Sequence, residues 1–160
     1  MNTQTGLRED TLELLIAIGH LARVYRYFDE ARYLFERLAT VYPQRAFPYL
    51  GLGLIEVDRA NYRGAARLFG HALELVPDNA QACAWLGASQ VLEGHFALGV
   101  RTLLNVIGSD EPSAAAMAEA FLKLPECAPF TRGVRIHRAA QSAPVPSFST
   151  LNRLNFRGRH

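Results

Sequence analysis

Three glycines, Gly19, Gly53 and Gly87, stand 34 residues apart in this 160-residue chain. Other columns keep the same step: Phe28, Tyr62 and Phe96; Ala31, Ala65 and Gly99; Phe35, Phe69 and Leu103. Pro43 and Pro77 close successive units, and Pro112 follows one place late. A period of this length marks a stack of identical supersecondary units, each burying its apolar face against the next.

The residue types in each column say what the unit is. The apolar spacing within it is helical, as in Leu34, Leu38 and Val41. A small residue on the first helix (Gly19, Gly53, Gly87) and another on the second (Ala31, Ala65, Gly99) let an antiparallel pair approach closely. The large residues fill the remaining space. Proline cannot continue a helix, so Pro43 and Pro77 end the second helix of their units. The expected fold is all-α: three antiparallel helix pairs, spanning 12–45, 46–79 and 80–113, plus a capping helix. The helices are expected near 12–25, 28–41, 46–59, 62–75, 80–93, 96–107 and 113–123. The second unit follows the pattern most fully. In the third, Gly99 and Val106 replace alanines, so its second helix is expected to be the least regular. Ser113 is expected to cap the last helix, which would cover the final apolar face, so that the repeat body runs over 12–124. Residues 1–11 read as a lead-in. Residues 125–160 read as a basic, largely flexible tail, broken by Pro125, Pro129, Pro144 and Pro146, with a short helix near 132–141.

Composition removes several classes of function. Hydrophobic residues make up 49% of the chain, enough for a core. No apolar run approaches the ~20 residues that span a bilayer. Met1 to Asp10 lacks the layout of a secretory signal, so the expected location is cytoplasmic. Cys83 and Cys127 have no histidine at metal-ligand spacing and are expected to be reduced, one buried and one near the tail. The five histidines are scattered, and Gly51-Leu52-Gly53 lies within a helix, where packing explains it better than phosphate binding. Glu9-Asp10 and Asp29-Glu30 fall at helix starts, where negative charge is favoured. The expectation is a non-enzyme with no cofactor and no metal. Residues 126–160 carry six arginines against one glutamate, a net +5; the remainder, eleven basic and fourteen acidic residues, is −3. Six arginines over that length, with Phe130, Phe148 and Phe156 for stacking, are too sparse to favour nucleic acid. Phe148, Leu151, Leu154 and Phe156 have the composition to fold back onto a groove of the body.

The period and its columns resemble the tetratricopeptide (TPR) repeat, and the resemblance implies that the helix pairs stack into a right-handed superhelix and that the chain functions through protein binding. In TPR units the second, fifth, ninth and twelfth residues of the first helix typically line a concave groove. Carried onto this chain, these are Glu13, Ile16, His20 and Arg23; Phe47, Leu50, Leu54 and Val57; and Gln81, Ala84, Ala88 and Val91. The resemblance thus implies a groove for an apolar peptide or an amphipathic helix, covered otherwise by the chain's own terminus or a second copy. The Lys, Asn and Arg clamp that holds the acidic C-terminus of heat-shock chaperones is missing: the equivalent places carry Ile16, His20, Gly51, Gln81 and Trp85.

Within that family, Phe47-Pro48-Tyr49-Leu50-Gly51-Leu52-Gly53 resembles the stretch opening the second repeat of the class II chaperones of bacterial type III secretion. The three repeats and the closing helix also fit, over about residues 12–123. The resemblance implies a chaperone that shields an apolar segment of a secreted translocator. The short lead-in departs from that class, whose extra N-terminal helix often supports dimerisation, and leaves a homodimer open. The TPR chaperones of the needle subunit, which cradle an amphipathic helix, fit the short lead-in. The alternative is a scaffold or self-associating subunit of a larger assembly.

Overall fold

The computed structural model describes residues 8–132. Seven helices follow one another: α1 Glu9–Val24, α2 Phe28–Val41, α3 Phe47–Asp58, α4 Tyr62–Leu75, α5 Ala80–Leu92, α6 Phe96–Leu104 and α7 Pro112–Leu122. A 3₁₀ turn, Pro125–Cys127, and a short helix, α8 Ala128–Thr131, close the described chain, in which there is no strand. Each of α1 to α6 packs on the helix after it, and α7 lies against both α5 and α6. The seven helices begin and end within about one turn of the positions the repeat implies.

The backbone carries the period as clearly as the side chains do. Each helix pair turns through a residue of positive φ: Arg26 at 66°, Ala60 at 57° and Gly94 at 92°, 34 residues apart. The next residue's N–H reaches back to the helix: Tyr27 to the Ala22 carbonyl, Asn61 to Glu56 and His95 to Gln90, at 2.8–2.9 Å. This is the Schellman closure, which satisfies carbonyls orphaned at a helix end. The chain leaves the turn into α4 under a side-chain cap, Asn61 Oδ1 accepting from the Gly64 N–H at 3.2 Å. Asn79 caps α5 in the same way, from Ala82 at 2.9 Å.

Aromatic rings packed on glycines hold the pairs together. A Cβ added at Gly19 would lie 2.8 Å from the Phe35 ring, and one at Gly51 would overlap the same ring. Phe35, fully buried on α2, therefore sits between α1 of its own unit and α3 of the next. Phe69 repeats the arrangement one unit on: it faces Gly53 of α3, where a Cβ would lie 2.6 Å away, and stacks on Trp85 of α5 with ring centroids 6.2 Å apart. In the third unit Leu103 faces Gly87, and Gly99 lies against the Gly87 carbonyl and Val91. Gly99 is thus required by a close backbone approach.

The third unit departs from expectation in three places. Helix α6 stops at Leu104, short of the expected 107, while Val106 beyond it is still buried. Pro112 does not close that unit. It is the first residue of α7, where proline's fixed φ suits a helix start and its missing N–H costs nothing. Ser113 is accordingly not the cap; its hydroxyl donates to Glu111 Oε1 at 2.8 Å and accepts from Gln81 Nε2 at 2.6 Å. Ala114, Ala118 and Leu122 of α7 join Val91, Val100 and Leu103 in one core. Cys127 joins it too, so packed structure continues past 125 and the cysteine nearest the tail is the buried one. The rest of the expected tail, including the helix near 132–141, and residues 1–7 of the lead-in lie outside the described residues.

One charged group is buried at the junction of the first two units. Glu56 of α3 accepts from Arg32 of α2 and from the Asn61 side chain. Burial opposes its ionisation, but those two hydrogen bonds and the charges of Arg32 and Arg59 outweigh burial and hold its pKa below the ordinary 4.5.

Two outcomes follow from this packing. Gly53→Ala is expected to lower stability by about 1–3 kcal/mol in urea unfolding, overpacking against Phe69 outweighing alanine's helix preference. Glu56→Gln is expected to cost about 1–3 kcal/mol near neutral pH, because it strands a partly buried guanidinium. Glu56 has a folded pKa below its unfolded one. Its contribution is therefore present above 4.5 and lost as pH falls through the folded value, so the gap between wild type and variant should close in acid.

Candidate binding groove

The first helices of the units place the expected groove residues in three different situations. On α3, Phe47, Leu50, Leu54 and Val57 are all partly exposed, although the helix is apolar and its opposite face, with Leu52 and Ile55, is core. Pro48 at the start of α3 is buried and Phe47 leans on Tyr42, ring centroids 5.8 Å apart, which fixes where the row begins. Leu50 opens into a hollow of about 540 Å3 that it shares with Gln81, Asp78, Asp110 and Glu111. That rim is acidic, and the spacing of apolar positions gave no sign of it.

On α1, Ile16 and His20 are also partly exposed. Ile16 packs on the core around Phe35, and the His20 ring lies 5.1 Å from Phe35, tilted by 56°. Burial, and then the nearby Arg23 charge, lower the His20 pKa, so its imidazole is neutral at neutral pH. Its Nδ1 is buried and has no hydrogen-bond partner among the described residues. Arg23 is committed within the chain, donating to Asp58 of α3 at 2.6 Å. This bond ties α1 to α3 and removes Arg23 as a free contact. Glu13 is exposed and has no partner among the described residues.

On α5 the expectation is overturned. Ala84 and Ala88 are fully buried and Val91 nearly so. Helix α7 lies across α5, and Ala84 and Val91 belong to the core they share. Only Gln81 remains partly exposed, and it is bonded to Ser113 of α7. The capping helix occupies the third unit's share of the groove, so the open row is Ile16, His20, Phe47, Leu50, Leu54 and Val57. The small side chains at 84 and 88 were the signal that a helix packs there.

Among the described residues no group of His, Cys, Asp or Glu side chains is placed to hold a metal ion, and no helix is long and apolar enough to cross a membrane. Burial raises the thiol pKa of Cys83 and of Cys127, the latter helped by Glu126, so both are held as thiols.

No family model matches the chain. Over 66 residues, 41% of its length, it is 30% identical to Superkiller protein 3 of Saccharomyces cerevisiae, of which the match covers 5%. Two solved structures share its architecture. The type III secretion translocator chaperone SycD of Yersinia enterocolitica superposes with a TM-score of 0.61 at 16% identity, covering 74% of this chain and 88% of that one. SycD in complex with a peptide of the translocator YopD gives 0.60 at 17%, covering 71% and 94%. At these identities the likeness establishes the fold, and the chain has the TPR-like helical-repeat architecture of that chaperone.

Proposed function

We propose that this chain is a cytoplasmic chaperone or adaptor of type III secretion. It acts by binding, not turnover, and its repeat body, residues 12–124, shields an apolar segment of a secreted translocator or needle subunit. The observation that carries this reading is the row on α3. Phe47, Leu50, Leu54 and Val57 are left partly open, while Ala84 and Val91 of α5 are buried in the core shared with α7. Leaving apolar surface in water is unfavourable by roughly 25 cal/mol per Å², so a partner segment that covers the row recovers that energy, less its own ordering cost. The shared fold with a chaperone crystallised with a translocator peptide supports the same reading.

The geometry narrows the occupant. The row crosses only α1 and α3, so it suits a short segment. Ile16, Phe47, Leu50, Leu54 and Val57 supply apolar contact, and the half-buried His20 closes the row on α1. A scaffold role would use a different surface, the outer face of α1, and would show as a stable oligomer without a co-purifying peptide.

The test is capture from native lysate by the tagged full chain, comparing wild type with Leu54→Glu. Wild type should retain one secreted protein in fixed ratio. The variant should lose it by at least ~10-fold, since a carboxylate would be desolvated without a partner, with far-UV circular dichroism unchanged. Equal recovery by a folded Leu54→Glu variant contradicts the groove assignment.

A further inference from the structure

The most exposed apolar surface of the described chain is not the groove. It is the outer face of α1, where Leu14 (60% exposed), Ile18 (45%), Leu21 (56%) and Tyr25 (67%) recur at helical spacing. None of them belongs to a core cluster; α1 meets the body through Leu12, Leu15, Ile16 and Ala22. The two ends of the stack therefore differ. At the far end α7, the 3₁₀ turn and Cys127 seal the last pair. At the near end the first helix presents an apolar stripe, where a stacked-repeat protein needs a polar cap. One turn before Leu14 the stripe continues into Asp10, with Glu13 beside it, and neither carboxylate has a partner among the described residues.

We propose that this stripe is the docking site of the chain's own C-terminal segment, residues 148–157. Three observations select that occupant. The first is charge: residues 133–160 carry five arginines and no acid, whereas the stripe begins at unpaired carboxylates. The second is composition: Phe148, Leu151, Leu154 and Phe156 fall within nine residues, interleaved with Arg153 and Arg157. Residues 1–7 offer only Met1 and Leu7, too little to cover four large side chains. The third is reach. The sixteen steps from Arg132 to Phe148 extend to about 50 Å at ~3.3 Å each, against a radius of gyration of about 14 Å for a domain of this size. The apolar side chains cover Leu14, Ile18 and Leu21, and the arginines meet Asp10 and Glu13. The groove is not used, because its residues are already half-covered and α1 has more apolar surface to bury.

The test places the photo-crosslinker p-benzoylphenylalanine at position 151 of the full chain (Leu151→p-benzoylphenylalanine), with mass spectrometry of the irradiated product. The expected product is an intrachain link from 151 into residues 10–25. Its yield should not change over about a 10-fold range of protein concentration, as an intramolecular contact requires. Adding Ile18→Glu, an exposed change that leaves the fold intact, should cut that yield at least ~10-fold by setting a charge in the apolar contact. A link into α3, a link joining two chains, or no link at all overturns the proposal; a link between chains would assign the stripe to a second copy.

Discussion

Phe35 does in one place what a repeat protein must do at every junction. Its ring fills the space left by Gly19 of its own unit and by Gly51 of the next, so a single side chain couples both interfaces. Either glycine replaced by a residue with a Cβ would press on the ring and force the helices apart. Phe69 performs the same service between Gly53 and Trp85, with stacking in place of a glycine notch. The 34-residue period is the trace of this constraint: each unit needs a large side chain on its second helix and a gap on the first. The buried Glu56 adds a polar lock at the same junction, joining α2, α3 and the turn before α4.

From that coupling follows the layout of the surfaces. Once the helix pairs are stacked, the apolar α3 has its Leu52 and Ile55 face in the core and its Phe47, Leu50, Leu54 and Val57 row left over. The third pair has no such surplus, because α7 lies over α5 and closes the core around Ala84 and Val91. The acidic residues Asp78, Asp110 and Glu111 mark where the open row ends. A segment bound as proposed would meet apolar surface along α3 and negative charge at the α5–α7 edge. At the opposite end of the stack, α1 turns a second apolar stripe outward.

The helices were legible in the sequence because their signals are local and repeated. Glycine, aromatic and proline columns at one step place each helix to within about a turn, and Gly53, Ala65 and Phe69 occupy the packing roles their columns imply. What was not legible depends on contacts between distant elements or on residues that hide their backbone state. Arg26 and Ala60 hold a left-handed turn that Gly94 alone would announce. Arg23 reads as a groove contact until Asp58, on another helix, claims it. Ala84 and Val91 occupy groove positions by register, and only the placement of α7 shows that they are core. Pro112 and Ser113 compete for the helix start, and proline at the first position prevails.

The partner segment is proposed to lie on the first two units and to stop at α7. Methyl-resolved NMR of the Ile, Leu, Val and Ala side chains in the full chain, titrated with the apolar segment of the captured partner, tests it most directly. Shifts are expected at Ile16, Leu50, Leu54 and Val57, with the buried Ala84, Ala88 and Val91 unmoved. Shifts centred on α5 and α7, or confined to Leu14, Ile18 and Leu21, would contradict it.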